Sequence, residues 1–264
     1  MLLAVSALLA SCGTGLTGRR APGRYGFDSV SAACQRTPAL CAPASEAAPK
    51  VISSTTLQTL GSAVASLDAA LRMVDEAVGV EPRRALEQCV NEARSTVLAR
   101  RNFTRPPTPE ECLGFLVDAQ GQVVRDFQGR PITLARQLGR EMHDVALACA
   151  KQKLSELRPG RFSLEPRYRH DPATGKTTFI SPEEEAALLR AGGEQLRGTL
   201  KPDVVLHTGN PIDAQVVYDF KFPCVATDNP RWHRNEEGVT QGELYAEALR
   251  ARVFRIFPWI GTIL

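Results

Sequence analysis

Two stretches in the C-terminal half combine charged side chains with apolar residues that suit buried strands. In QVVYDFKFPC, a strand would place Asp219 and Lys221 on one face and Phe220 on the other. In KPDVVLH, Asp203 opens a second apolar run. Charges are rare inside such runs unless they have partners. If the two runs pair as strands, we expect Asp203 to approach the face that carries Asp219 and Lys221.

This arrangement predicts phosphoryl chemistry. Two converging carboxylates repel each other and require a cation. Ligation by oxygen alone favours Mg²⁺ or Mn²⁺, with water completing the octahedron. The ammonium of Lys221 would then orient a water molecule and stabilise charge that develops on a phosphate. In outline, Asp203, Asp219 and Lys221 form a phosphodiesterase site.

The same residues carry a resemblance to a known family. PD at Pro202 and Asp203, followed by the DFK that begins at Asp219, resembles the PD-(D/E)xK nuclease superfamily, which has the restriction-endonuclease fold. QGELY adds Gln241 and Tyr245, which share a helix face and are similar to the QxxxY motif of RecB-type members. LEPRYRHDPATG, GTLKPDVVLH and YDFKFPC resemble hallmarks of the nuclease toxin domains of bacterial polymorphic toxins.

The resemblance implies a catalytic set of three acids and one lysine: Asp203, Asp219, Glu141 and Lys221. Asp203 and Asp219 are implied as metal ligands, together with the backbone carbonyl of Phe220. Lys221 is implied to assist the attacking water.

The helix before the sheet is implied to supply the third acid. Glu141 is the candidate and Asp144 is the competitor, and the sequence leaves both open. Gln241 and Tyr245 are implied to support the site or to contact a phosphate. His143 is assigned no role in the site, because it looks structural or exposed.

A second group of residues has two interpretations. RWHR, residues 231–234, combines cations with an aromatic ring that could touch a phosphate backbone or stack on a base. The alternative is a loop that a buried Trp232 anchors.

The N-terminal residues predict export. MLLAVSALLASC is an apolar run that ends in small residues before Cys12; it is too short to span a bilayer and fits a signal-peptide core. LASC resembles the lipobox of bacterial lipoproteins, although no Lys or Arg precedes the run. We therefore expect residues 1–12 to be a lipoprotein signal peptide, with Cys12 lipidated and the protein anchored in the outer membrane or cell envelope.

The remaining chain predicts an α/β (α+β) protein. Residues 13–54 are rich in Gly, Pro, Ala and Ser and predict a flexible tether, and apolar residues three or four apart predict a helical region over 55–132. Over 133–264 a long helix with Thr133 as N-cap, a hairpin, a helix capped by Ser181, two strands, a helix and a strand follow. We expect a restriction-endonuclease-like central mixed sheet flanked by helices, preceded by the helical region.

Composition agrees with a folded protein that is mildly basic. The 264 residues are 43% hydrophobic and 23% charged, and the net charge of +3 is too small to indicate a nucleic-acid binder by itself. Seven cysteines occur without a CxxC or Cys/His metal spacing, so disulfides in an exported chain are expected rather than a structural zinc.

Together these features predict an exported lipoprotein toxin that acts in interbacterial competition. It would hydrolyse phosphodiester bonds with Mg²⁺ or Mn²⁺ in the cytoplasm of a target cell, on DNA in preference to RNA. A cognate immunity protein would protect the producing cell. The alternatives are a non-catalytic envelope lipoprotein that uses a degenerate nuclease fold for binding, and an intracellular repair nuclease with a misread start.

Overall fold

The computed structural model describes residues 54–126, 128–225, 232, 234, 235 and 237–264. The predicted signal peptide, its lipidated Cys12 and the tether up to residue 53 lie outside the described residues. No helix in the described part of the chain is long and apolar enough to cross a membrane.

Six α-helices are described, and most begin where the sequence provides a cap. They are α1 (Ser54–Val78), α2 (Val80–Arg100), α3 (Pro109–Leu113), α4 (Leu134–Leu157), α5 (Pro182–Arg190) and α6 (Gln241–Leu249), with a short 3₁₀ helix at Glu194–Leu196. The N-cap side chains of Thr108, Thr133, Ser181 and Thr240 each accept a hydrogen bond from the backbone N–H three residues later. The caps predicted at Thr133 and Ser181 are confirmed.

Seven strands are described, and they form two sheets. They are β1 (Phe162–Leu164), β2 (Arg167–Asp171), β3 (Lys176–Ile180), β4 (Val204–His207), β5 (Ala214–Phe220), β6 (Arg252–Phe257) and β7 (Gly261–Ile263). The main sheet has the order β1-β4-β5-β6-β7 and is mixed, because β5 and β6 are parallel while the other pairs are antiparallel. The expected hairpin is present as β2–β3, which forms a separate sheet.

Alternating residues of β4 and β5 face two different apolar layers. Val204 and Tyr218 lie in a cluster with residues of α1, α2 and α4, whereas Val205 and Val217 pack in a second cluster with Tyr245 of α6. Helices therefore flank a mixed five-stranded sheet, as predicted. The helical region and the sheet also share one core, because α1 and α2 contribute to the first cluster.

The segment between α2 and α4 departs from the predicted helical region. After α3, residues 114–126 and 128–133 contain isolated antiparallel bridges, such as Val117 with Val123, and no helix before Leu134. Asp118 and Asp126 accept backbone hydrogen bonds in two tight turns, in which Gly121 and Gly129 take φ values of 77° and 75°. These two turns explain why the chain is not helical between α3 and α4.

Two disulfides lie within the described residues, one between two helices and one between a helix and the loop after β5. Cys89 of α2 bonds Cys149 of α4, and Cys112 of α3 bonds Cys224, which lies just after β5. This agrees with the expectation of disulfides in an exported chain.

Candidate active site

The strand register brings the two predicted acids to one end of the sheet. β4 and β5 pair Val204 with Tyr218, so one further step sets Asp203 opposite Asp219. On the other side of β5, Asp219 is paired with Arg255 of β6. Both carboxylates are nearly fully buried, with 7% and 3% of the Asp203 and Asp219 residues exposed. The expectation that Asp203 approaches the face that carries Asp219 agrees with this placement.

The surroundings of Asp203 disfavour its ionised form. Burial raises the pKa of this carboxyl from 3.8 to about 7, and the negative charge of Asp219 adds to the effect, while His143 and Lys221 oppose it. The Phe220 N–H also opposes it by donating to Asp203 Oδ2 over 2.5 Å. Two acids are thus held close together in a poorly solvated place, where a cation would stabilise both.

Lys221 is held between the acids and α6. Its Nζ forms an ion pair with Asp219 Oδ2 and donates to Gln241 Oε1 over 3.2 Å. The Nε2 of Gln241 donates to the hydroxyl of Tyr245 (2.6 Å), which donates to the Lys201 carbonyl (3.1 Å). The predicted QxxxY pair therefore supports the lysine through a chain of hydrogen bonds. Burial and the nearby acids raise the pKa of Tyr245, which keeps the phenol neutral.

The α4 side chain that reaches the acids is His143. Its Nδ1 lies 3.6 Å from Asp203 Oδ1 and its Nε2 lies 3.2 Å from the Phe220 carbonyl. Glu141 instead accepts hydrogen bonds from Arg101 Nε (3.0 Å) and Gln137 Nε2 (2.5 Å), and the Arg101 guanidinium lowers its pKa. The structure does not bring Glu141 to the cluster, and the competitor Asp144 is exposed.

Sequence reasoning missed His143 because the pattern of α4 does not show which side of its buried seam faces the two acids. Met142 is in the buried seam, and one residue on either side turns about 100° around the helix. Glu141 lies on one flank of the seam and His143 on the other. The flank that faces the strand ends is decided by packing on the sheet.

An aromatic side chain borders the site beside the lysine. The Trp232 ring centroid lies 5.2 Å from Lys221 Nζ and 5.2 Å from the guanidinium carbon of Arg255. The ring packs on Gly242, where an added Cβ would come within 2.6 Å of the Trp232 Cε2 atom. Trp232 is partly buried and its ring packs on α6, so its placement fits both interpretations of RWHR, contact with nucleic acid and a loop that this tryptophan anchors. Arg231 and His233 of the same stretch lie outside the described residues.

The donor atoms present fit a hard divalent cation with few protein ligands. Asp203 and Asp219 offer two carboxylates, and the carbonyl of Phe220 lies beside them, in contact with His143. Asp219 Oδ2 is buried and, among the described residues, accepts no hydrogen bond of regular geometry besides its ion pair. The described residues contain no group of three or more His, Cys, Asp or Glu arranged to hold a metal. Mg²⁺ is commonly bound by one or two carboxylates and several waters, so the fit is to Mg²⁺ or Mn²⁺.

Comparisons with protein families, with curated proteins and with solved structures found no match to this chain.

Proposed function

We propose that this protein is a nuclease that uses Mg²⁺ or Mn²⁺ to hydrolyse phosphodiester bonds. One observation carries the proposal: Asp203, directly before β4, and Asp219, near the end of β5, lie at the same end of the paired strands, both buried, with Lys221 in ion-pair contact with Asp219. Buried acids without a structural need are costly, so their convergence is best explained by a cation and a reaction.

Each residue of the site has a part in this function. Asp203, Asp219 and the Phe220 carbonyl would hold the cation. His143 would orient the carbonyl by donating from Nε2, while its other ring nitrogen faces Asp203. When bound, the cation supplies positive charge that polarises the phosphate and acidifies a water.

The lysine and the α6 pair complete the site. Lys221 places its ammonium where negative charge develops on the phosphate oxygens. Gln241 holds that ammonium in place, and Tyr245 holds Gln241 by accepting its amide proton.

The wider proposal concerns fold and biology. We assign the mixed sheet with its flanking helices to the restriction-endonuclease-like type, because the PD, DFK and QxxxY residues fall at one end of the sheet. An exported lipoprotein toxin that attacks DNA, or less readily RNA, in a target cell accounts for the lipobox-like N-terminus and for the two disulfides. An immunity protein is the partner this proposal requires.

The test is cleavage by the purified full-length protein. Supercoiled plasmid, single-stranded circular DNA and a structured RNA are incubated with Mg²⁺, with Mn²⁺ or with EDTA. We expect metal-dependent cleavage that Asp219→Ala and Lys221→Ala each reduce at least about 100-fold, a typical loss for a group that stabilises transition-state charge. Cleavage at the parent rate in both variants would overturn the site.

Matched controls come from the β2–β3 hairpin. Asp171→Ala and Lys176→Ala remove the same charges from an exposed turn and should leave cleavage unchanged. A second pair compares the flanks of α4: we expect His143→Ala to lower cleavage more than Glu141→Ala. The opposite order would restore Glu141 as the catalytic acid.

A further inference from the structure

We propose that Trp232 and Arg255 form a nucleotide-binding subsite next to Lys221, and that this subsite selects single-stranded nucleic acid. The inference rests on the proposed function, since it adds the substrate class to the same site. Three features of the described residues carry it: the fit of the ring to a glycine, the cations beside the ring, and the charge of the site.

The position of the Trp232 ring depends on a glycine of α6. Gly242 has an ordinary helical place at the start of that helix, so no unusual backbone angle requires a glycine there. What requires it is space, because a Cβ would lie between 2.6 and 3.0 Å from three atoms of the indole ring. Gly242 therefore leaves room for the Trp232 ring, from the loop before α6, to lie against this helix. The same helix carries Gln241, which accepts from Lys221.

Trp232 does not serve the apolar core. It belongs to neither of the two apolar clusters found in the described part of the chain. Its close neighbours include two cations, Lys221 and Arg255, both 5.2 Å from the ring centroid. A partly exposed indole with cations beside it is a combination that proteins use to bind single strands, because bases stack on the ring while cations contact the backbone.

The charge of the site favours a phosphate at this place. With Asp203 and Asp219 ionised, Lys221 and Arg255 balance them, and a bound divalent cation leaves an excess of positive charge. The parallel register of β5 and β6 places Arg255 beside Asp219. The Arg255 guanidinium is also close to the Trp232 ring. The phosphate of a neighbouring nucleotide could therefore bind Arg255 while its base contacts the ring.

The ring sets the substrate class. A base can stack on Trp232 only after it has left the stack of its own strand, which costs a few kcal/mol in a duplex and little in a single strand. We therefore infer a preference for single-stranded regions, gaps or frayed ends over intact duplex.

The experiment measures binding, so that it does not depend on cleavage. The full-length chain carries Asp219→Asn to keep the strand intact, and Trp259→Phe to leave Trp232 as the only tryptophan of the two in the sequence. It is titrated with a short fluorescein-labelled single strand and with the same sequence as a duplex. We expect the single strand to quench Trp232 emission and to bind more tightly than the duplex.

Adding Trp232→Ala should weaken binding of the single strand by about 10- to 100-fold, which corresponds to one lost base stack. Trp232→Phe should retain most of the affinity, because it keeps a flat ring. Arg255→Gln should weaken single-strand binding and reduce its salt dependence.

Changing the nucleic acid instead of the protein provides a test that misfolding of a variant cannot mimic. A series of single strands each carries one abasic nucleotide at a different position. At one position the missing base should weaken binding to the parent, and at that same position it should have no effect on binding to the Trp232→Ala protein. Equal affinity of parent and Trp232→Ala, or equal quenching by duplex, would overturn the subsite. If the parent cleaves nucleic acid but shows either of these results, the nuclease proposal stands without the subsite. If binding behaves as expected and no cleavage occurs, the subsite stands and hydrolysis fails.

Discussion

The buried Asp203 should make the cation-free protein less stable than it would be with a neutral side chain. Burial and Asp219 raise the pKa of Asp203 from 3.8 to about 7. If 3.8 describes the unfolded chain, the difference corresponds to a penalty of about 4 kcal/mol when the carboxyl is fully ionised. Asp203→Asn removes this charge and keeps an oxygen that can accept the Phe220 N–H.

The sign of the pH dependence follows from the direction of the pKa change. Below pH 3.8 Asp203 is protonated in both states, so it contributes no penalty. Between pH 3.8 and about 7 the unfolded chain ionises first, and the penalty grows. Above pH 7 it is complete. Asp203→Asn should therefore give no stability advantage at pH 4.5, where the cost of the asparagine outweighs the small penalty, and its largest advantage at pH 8.

We expect an advantage of about 2 kcal/mol at pH 8, about half the full penalty. The advantage falls short of the full penalty because the asparagine amide needs a new acceptor. Urea unfolding at both pH values, in EDTA and with disulfides intact, measures this difference. Adding Mn²⁺ should stabilise the parent, by about 2.7 kcal/mol at one hundred times its Kd, and leave the variant unchanged.

Asp171 provides a control of the opposite sign. It lies in the exposed hairpin turn, where the Thr174 hydroxyl and the Ala173 N–H lower its pKa. Asp171→Asn should therefore lose a little stability, more at pH 8 than at low pH. If Asp203→Asn lowers stability at pH 8, or changes it equally at both pH values, the account of the buried acids is wrong.

Three further outcomes follow from the packing around the site. Gly242→Ala should displace Trp232, shift its emission to longer wavelength and cost about 1 to 3 kcal/mol of unfolding free energy, since the indole ring must leave its packing on α6 to make room for the methyl group; unchanged emission would contradict this. Replacing Cys112 and Cys224 by serine should lower the free energy of unfolding by about 3 to 5 kcal/mol, because their separation of 112 residues closes a long loop; urea unfolding measures it. Arg94→Met should cost about 1 to 3 kcal/mol in the same assay, because the buried Pro223 carbonyl and the partly buried Cys224 carbonyl lose their donor; a neutral result would show that solvent replaces it.

Much of the fold could be predicted because local signals were strong. The Thr133 and Ser181 caps begin helices where expected, and the two apolar runs with Asp203 and Asp219 become adjacent strands. Alternation within β5 correctly placed Asp219 and Phe220 in different surroundings. These features depend on residues close in sequence or on the period of a strand.

The rest depends on how elements pack on one another. β1 joins the main sheet, while the hairpin after it forms its own, and Glu165 between them takes a φ of 46° that a propensity argument does not anticipate. β7 has only three residues and follows a Trp259 with a φ of 65°, so it carries too little pattern to predict. Arg255 enters the site only because β6 pairs in parallel with β5.

The two disulfides overlap along the sequence, since Cys112 falls inside the loop that Cys89 and Cys149 close and Cys224 falls outside it. A single cut in the chain anywhere between residues 89 and 224 is therefore spanned by at least one bridge. A protease that nicks an exposed loop in this stretch cannot release a fragment; the two pieces remain one molecule until a reductant separates them. Nicked protein would run as one band on a non-reducing gel and as two on a reducing gel.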